Sequence, residues 1–210
     1  ITPCTNATET IINNGIGMVA AGNAVVFNVH PAAKRVSVHL IRTLNQAMVA
    51  AGAPDNLMCC VAEPTIESAN ALMKHPLTRI VVVTGGPGVV KAAMQTGKKV
   101  IAAGPGNPPV LVDETAHIAQ AAKHIIAGAS LDNNIVCIVE KEIFAVDSIA
   151  SSLASELNRA GAYQLNERQI RQLEKVIIED DHVNRRFIGK NAGVILREIG
   201  VNVGDDVRIA

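Results

Sequence analysis

Residues 79–103 read RIVVVTGGPGVVKAAMQTGKKVIAA, and this stretch decides the fold class. An apolar strand is predicted at 79–83, a Gly-rich turn at 84–88, a helix at 89–95 and a second strand at 99–102. Both strands lack a polar face, which is typical of parallel strands that are covered on both sides. Chain chirality makes the crossover between such strands right-handed. The stretch therefore predicts an α/β fold.

The residues before this stretch repeat the alternation of helix and strand. The spacing of apolar residues predicts strands at 24–27 and 57–61 and helices at 9–21, 32–51 and 66–74. These strands are also short and apolar, so they belong in the same kind of parallel sheet. Sheets of this type bind ligands at the carboxyl ends of their strands, and we expect a binding site at that edge.

The character of the sequence changes after residue 103. Residues 104–109 read GPGNPP, which excludes regular structure and is the best candidate for a domain crossing. Strand and helix then alternate again, with strands predicted at 110–112 and 142–146 and helices at 115–129, 148–160, 167–177 and 192–199. We therefore expect two domains, residues 1–103 and residues 104–210.

Composition excludes several classes of function. The chain has 210 residues, is 49% apolar and has a formal net charge of zero without a polybasic run, so nucleic acid and membrane surfaces are not expected partners. No apolar run reaches the roughly 18 residues of a membrane-spanning helix. The cysteines lack CxxC or Cys/His ligand spacing, which predicts a reducing, cytoplasmic-type compartment and no metal site. They are Cys4, Cys59, Cys60 and Cys137.

Two residues are candidates for catalysis. Cys137 follows the polar run 132–134 and lies between Val136 and Ile138, so we expect it at the head of an apolar strand. A nucleophilic thiol and a buried core cysteine both fit that position, and the second is the commoner use of a free cysteine. Asn6 lies in a polar turn before a helix, where its amide serves either as an oxyanion donor or, more commonly, as a helix cap.

The Gly-rich turn 84–88 is a candidate for binding a phosphate group. Backbone N–H groups and the helix dipole meet at such a turn, and glycines allow close approach to the backbone. The pattern matches neither of the common phosphate-binding motifs, so a tight connection without a ligand fits equally well. A further candidate is His30, because it follows a strand directly. It either contacts a bound nucleotide or simply terminates the strand.

Five segments occur in an order that carries a resemblance to a known family. They are Thr2-Pro3-x-Thr5-Asn6, residues 21–27 with His30-Pro31, the turn 84–88, the segment 104–116, and Asp132-Asn133-Asn134-x-x-Cys137. Together they resemble the CoA-acylating branch of the aldehyde dehydrogenase superfamily, and in particular the ethanolamine- and propanediol-utilisation aldehyde dehydrogenases. The resemblance covers essentially the whole chain. It implies part of a Rossmann-type nucleotide-binding domain in residues 1–103 and part of an α/β catalytic domain in residues 104–210.

The resemblance also implies roles for the candidate residues. Cys137 matches the nucleophile whose thiolate adds to an aldehyde, and Asn6 matches the asparagine whose amide forms the oxyanion hole with the cysteine N–H. Hydride transfer to NAD then leaves a thioester on the cysteine, and CoA resolves it. The residues implied to lie beside the cofactor are Thr84, Gly85, Gly86, Gly88, His30 and Pro31.

One departure from the general superfamily bears on the reaction. Hydrolytic members carry a glutamate base just before the domain crossing, and Ala102 stands at that position here. Loss of a positioned base slows attack by water about 10²–10⁴-fold, whereas a thiol such as CoA ionises readily and needs the base less. Acyl transfer to CoA is therefore favoured over two alternatives. These are a hydrolytic aldehyde dehydrogenase, and a noncatalytic nucleotide-binding module in which Cys137 is merely buried.

The resemblance has further implications for the whole protein. Asn28 and His30 replace the Lys and Glu that usually contact the adenosine ribose, which leaves the choice between NAD and NADP open. The sequence begins with Ile1, and the family's later glutamate-x-phenylalanine motif lies beyond Ala210, so we interpret the chain as an internal piece that is inactive alone. The whole protein is expected to use a short-chain aldehyde and CoA and to form a homo-oligomer. It is expected in the cytoplasm or inside a bacterial microcompartment, with shell or lumen proteins as partners.

Overall fold

Pairs of parallel strands form the frame of the fold, and α-helices pack against them. The computed structural model describes residues 1–210, which form two compact units, residues 1–105 and 106–210. The first unit contains α1 (Ala7–Ala20), β1 (Val25–Phe27), α2 (Lys34–Ala50), β2 (Met58–Cys60), α3 (Ile66–Lys74), β3 (Ile80–Thr84), α4 (Pro87–Met94) and β4 (Lys99–Ala103). A short 3-10 turn, Pro31–Ala33, precedes α2.

Two parallel ladders run through the first unit. β1 pairs with β2 so that Phe27 lies opposite Cys60, and β3 pairs with β4 so that Val83 lies opposite Ala102. The strands carry apolar side chains on both faces, as parallel strands between packed helices do. Because the strands of each ladder are parallel, their carboxyl ends lie at one edge, where ligands bind in sheets of this class.

The first two residues of the chain connect these ladders. The Ile1 amino group donates to the carbonyl oxygen of Val82 at 2.8 Å, and the Thr84 N–H donates to the carbonyl oxygen of Ile1 at 3.1 Å. The same segment also contacts the first ladder, because the Thr2 N–H donates to the carbonyl oxygen of Asn28, just after β1, at 3.4 Å. The segment therefore ties β3 to the end of β1 and leads directly into the turn that precedes α1.

The core of the first unit is aliphatic, since only 2% of the chain is aromatic. It consists of two clusters, one formed by Ile11, Phe27, Val29, Ile41 and Met58, the other by Met73, Val81, Val83 and Ala93. Close approach of the elements takes the place of bulky rings. A Cβ atom at Gly15 on α1 would lie only 2.6 Å from Met58 Cε, so the glycine lets the Met58 side chain pack directly on the helix.

The second unit contains one parallel ladder and a small hairpin. Its elements are β5 (Pro109–Val112), α5 (Ile118–Ala129), β6 (Glu142–Ala145), α6 (Asp147–Arg159), α7 (Glu167–Ile177), β7 (Ile178–Glu179), β8 (His182–Val183) and α8 (Ala192–Arg197). β5 pairs in parallel with β6, and β7 pairs antiparallel with β8. The core beneath α5 and α6 is formed by Val112, Ala122, Ile125 and Leu153.

The predicted α/β alternation is confirmed, with changes at the ends of elements. The single helix predicted at 32–51 is divided, because Pro31 starts a 3-10 turn and α2 begins only at Lys34. One prediction is wrong in kind: residues 135–139 do not form the apolar strand expected at Cys137, and they lie in turns instead. None of the helices combines the length and apolar character that crossing a membrane requires.

We expect the mutation Ile11→Ala to destabilise the 210-residue chain by about 2–5 kcal/mol, because it leaves a cavity under α1. Ile11 is 0% exposed, whereas Ile16 on the same helix is 56% exposed, so Ile16→Ala is the matched control. Urea unfolding followed by circular dichroism measures both. Equal losses of unfolding free energy in the two variants would contradict the assigned core.

Candidate functional site

The loop that carries Cys137 connects α5 to β6, and its first part is a 3-10 turn, Leu131–Asn134. Three successive residues of this turn have left-handed backbone conformations, with φ angles of 49° at Asp132, 50° at Asn133 and 63° at Asn134. Asn and Asp tolerate this region better than other residues with a Cβ atom. The polar run noted in the sequence is therefore required by the backbone of the loop.

The Asn134 side chain closes the loop. Its amide nitrogen donates to the carbonyl oxygen of Ala129, at the end of α5, at 2.7 Å, and to that of Glu140, just before β6, at 3.0 Å. A second asparagine, Asn133, ties the loop to a more distant segment, since its amide donates to the carbonyl oxygen of Gly189 at 3.0 Å. These bonds satisfy backbone groups that a turn otherwise leaves without partners.

Cys137 lies in a turn of this loop. The Val139 N–H donates to the carbonyl oxygen of Val136 at 3.4 Å, which closes one turn around the cysteine. Val136 and Val139 are buried, whereas Cys137, which carries a free thiol, is a half-buried residue. Cys137 thus lies between the fully buried core and the surface.

Gly106 packs against the backbone of Cys137. A Cβ atom at position 106 would overlap the Cys137 carbonyl oxygen, so any side chain there would displace the loop. The sequence did show this glycine in the run 104–109, but the run was interpreted only as a domain crossing. The two contacting residues are about thirty positions apart in the chain, and nothing in the local sequence pattern indicates that they meet.

Lys141 is the cationic group of the site. Its ammonium donates to the backbone carbonyl oxygen of Asn134 at 3.0 Å, to Asn134 Oδ1 at 2.6 Å and to the carbonyl oxygen of Val136 at 3.2 Å. Burial lowers the pKa of Lys141, and the Coulombic interaction with Cys137 opposes that shift. Sequence reasoning missed this residue, because a single lysine after a cysteine matches no common catalytic motif.

Asn6 belongs to the first unit, where it stands at the N-cap position of α1. Its side chain makes no capping hydrogen bond, and its buried Oδ1 atom has no hydrogen-bond partner. The structure therefore does not show the helix-cap role that is commoner for an asparagine before a helix. The Asn6 side chain is therefore partly buried, and no hydrogen bond to its Oδ1 accounts for a polar group at this position.

The Gly-rich turn connects β3 to α4. Thr84 is the last residue of β3, the Gly85 N–H donates to the carbonyl oxygen of Ala103 at 3.0 Å, and Gly86 is the N-cap of α4. A Cβ atom at Gly86 or Gly88 would meet no atom within 4 Å, so both glycines border open space. The first turn of α4 leaves N–H groups without helical partners there, which favours an anion.

Gly85 differs from its neighbours in this turn. A Cβ atom at position 85 would lie 2.8 Å from Val89 Cγ1, so this glycine is needed for packing inside the turn. Packing against Val89 therefore gives a second reason for glycine at this position, and the assignment of Gly85 to cofactor binding stays a prediction.

His30 and Pro31 follow the carboxyl end of β1. The Ala32 N–H donates to His30 Nδ1 at 3.2 Å, so the histidine caps the 3-10 turn that Pro31 begins. His30 is otherwise exposed. Nearby, the buried Asn28 accepts a hydrogen bond on Oδ1 from Ser68 Oγ at 2.6 Å. The end of β1 is thus fixed by local polar contacts.

The mutation Gly106→Ala is expected to lower the stability of the chain by about 1–3 kcal/mol through overpacking, and to change the accessibility of Cys137. Gly104→Ala is the matched control, because a Cβ atom at position 104 would meet nothing within 4 Å. Thermal unfolding and the rate at which iodoacetamide alkylates Cys137, read by peptide mass spectrometry, measure the two effects. If both alanine variants behave alike, Gly106 does not support the cysteine loop.

Comparisons with known proteins identify a matching family and similar proteins. The model of the aldehyde dehydrogenase family matches residues 1–168. The chain is 49% identical over 216 residues to the acetylating acetaldehyde dehydrogenase EutE of Salmonella typhimurium, and covers 100% of itself and 46% of that protein. It is 44% identical over 203 residues to a CoA-propanoylating propanal dehydrogenase of Citrobacter freundii, covering 97% of itself and 44% of that protein.

Two solved structures are similar along almost the whole chain. A propionaldehyde dehydrogenase from the Clostridium phytofermentans fucose utilisation bacterial microcompartment superposes with a TM-score of 0.91 at 47% identity, over 99% of this chain and 48% of that one. A Rhodopseudomonas palustris propionaldehyde dehydrogenase with bound CoA and an acylated cysteine gives a TM-score of 0.88 at 48% identity, over 98% and 47%. The chain spans about half the length of the curated relatives it matches.

Proposed function

The chain belongs to the aldehyde dehydrogenase family, and we propose that the whole protein converts a short-chain aldehyde, NAD⁺ and CoA to an acyl-CoA and NADH. The observation that carries this proposal is the free, half-buried Cys137 thiol on a loop fixed by Asn134 and Lys141. The relatives support the acyl transfer, because two of them are named as acylating enzymes and one structure holds CoA with an acylated cysteine.

In the proposed mechanism the Cys137 thiolate adds to the aldehyde carbonyl and forms a thiohemiacetal. The carbonyl oxygen then carries negative charge, which is stabilised by two donors, the Cys137 N–H and the Asn6 side-chain amide. The Cys137 N–H donates to no backbone carbonyl of its own unit, so it is available to an oxyanion. The Asn6 side chain is not committed to capping α1, because its Oδ1 accepts no hydrogen bond.

The second half of the mechanism transfers the acyl group. The dinucleotide, which the turn at Gly86 and Gly88 would hold, would supply the hydride acceptor for the thiohemiacetal. A thioester then remains on Cys137. When the CoA thiolate attacks this thioester, the same two donors bind the carbonyl oxygen again. The tetrahedral adduct collapses to acyl-CoA and releases the Cys137 thiolate, so the nucleophile is restored.

We assign cofactor binding to the first unit and the nucleophile to the second. The open N–H groups at Gly86 and Gly88, next to the end of β3, are the proposed contact for the dinucleotide phosphates. Thr84, His30 and Pro31 lie at carboxyl ends of β3 and β1, the edge where ligands bind in such sheets. The proposed domain boundary lies at residue 103, where β4 ends.

Transfer to CoA is favoured over hydrolysis because no base stands at the end of β4. Ala102 lies there, opposite Val83, and its methyl group accepts no proton from water. A thiol needs no such base, since it ionises far more readily than water. The same proposal includes that the whole protein forms a homo-oligomer and binds microcompartment proteins. It is supported by the microcompartment source of one similar structure.

In the whole protein, Cys137→Ala is expected to abolish NADH formation from acetaldehyde or propionaldehyde, because the thiohemiacetal cannot form. Cys59→Ala is the control, since Cys59 lies on β2 and contacts only the Asn56 carbonyl oxygen with its thiol. Absorbance of NADH at saturating aldehyde measures the rate. Near-normal turnover by Cys137→Ala would refute the assignment of Cys137 as the nucleophile. Release of free acid at an equal rate without CoA would show that the reaction is hydrolysis and not acyl transfer.

The mutation Asn6→Ala is expected to lower kcat by roughly 10²–10³-fold, the cost of one oxyanion donor. Stability should change little, because the Asn6 side chain makes no cap on α1. Asn13→Ala on the exposed side of α1 is the matched control. A variant that keeps its rate but loses about 1 kcal/mol of stability would assign Asn6 to helix capping instead.

A further inference from the structure

The peptide group between Val136 and Cys137 has an unusual environment. Its carbonyl oxygen belongs to Val136 and accepts a hydrogen bond from the Lys141 ammonium at 3.2 Å. Its N–H belongs to Cys137 and donates to no backbone carbonyl of its own unit. One end of the peptide is thus held by a cation, while the other end is left open beside the thiol.

Resonance couples the two ends of a peptide group. A cation at the carbonyl oxygen draws electron density away from the nitrogen, which makes the N–H a stronger donor. The bond to a charged donor is also stronger than a bond between neutral groups. Val136 is a buried residue, and its bond to the Lys141 ammonium is partly buried although Lys141 is otherwise exposed.

Lys141 is well placed to hold this peptide still. Its backbone N–H donates to the carbonyl oxygen of Pro108 at 2.9 Å, immediately before the β5–β6 ladder begins. Its ammonium is shared with both oxygens of Asn134, the residue that closes the loop. The lysine therefore connects the parallel ladder to the peptide of the cysteine.

We propose that Lys141 is a positioning residue that acts through the Val136–Cys137 peptide, orienting and strengthening the Cys137 N–H as an oxyanion donor. The proposal rests on the proposed function, since it requires that Cys137 attacks a carbonyl. Lys141 neither gains nor loses a proton in the reaction. Its effect is used twice, because an oxyanion forms when the thiolate adds to the aldehyde and again when CoA attacks the thioester.

The first test replaces the ammonium in the whole protein. Lys141→Met keeps most of the side-chain length but removes the charge and the donor, and it is expected to lower kcat/KM for the aldehyde by roughly 10–100-fold, the range for a bond to a charged group. Lys141→Arg, which keeps a cationic donor, is expected to recover most of the loss. Lys123→Met, on the exposed side of α5, is the matched control. An unchanged rate in Lys141→Met overturns the proposal.

The second test separates oxyanion binding from a general effect on the thiol. Alkylation of Cys137 by iodoacetamide uses the same thiolate but forms no oxyanion. Because Lys141 also interacts electrostatically with Cys137, the alkylation rate is measured across pH and compared at its high-pH plateau, where the thiol is ionised in both proteins. The plateau rate of Lys141→Met is expected to lie within about twofold of that of the unaltered protein, because a stronger N–H donor is used only where negative charge develops on oxygen. If the plateau rate falls in parallel with the aldehyde reaction, Lys141 acts on access to the thiol or on loop folding, and the proposal is wrong.

The Cys137→Ala variant separates a failure of the proposed function from a failure of the role proposed for Lys141. If it retains activity, the proposed function fails. If it is inactive while Lys141→Met reacts with aldehyde at the normal rate, only the role of Lys141 fails.

Discussion

The side-chain amide of Asn134 is the contact on which the cysteine loop depends. Three consecutive left-handed residues cannot continue a helix or a strand, so the backbone groups around them need other partners. Asn134 supplies two of these partners through its amide, at the end of α5 and just before β6. Its own oxygen then fixes the Lys141 ammonium. One short polar side chain therefore sets the path of the loop and the place of its cation.

The rest of the second unit supports that loop from outside. The β5–β6 ladder fixes the backbone of Lys141, and the absence of a side chain at Gly106 lets the neighbouring segment pack on the Cys137 carbonyl. These contacts are short-range in space but distant in sequence. They explain why a site on a loop can be precise, since its supporting groups come from a rigid ladder.

The fold class could be predicted from the sequence because short apolar strands alternate with amphipathic helices, and that pattern is local. The roles of Asn6 and Cys137 came from the family resemblance, because the local pattern alone favoured a helix cap and a core cysteine. Lys141 and Gly106 could not, because their importance lies in contacts with the Cys137 loop that no local pattern encodes. The packing of Gly85 against Val89 could not be predicted either, because a glycine kept for packing and a glycine kept for a ligand look alike in a sequence.

The mistaken strand at Cys137 shows what the observed turn provides. In a parallel ladder the Cys137 N–H would be paired with a neighbouring strand, as the ladder N–H groups of β6 are. Such a pairing would remove the oxyanion donor that the proposed mechanism uses beside the thiol. The run Val136–Val139 is apolar enough for a strand, yet the left-handed residues before it and the Lys141 bond turn it aside. A free N–H next to a free thiol follows from that turn.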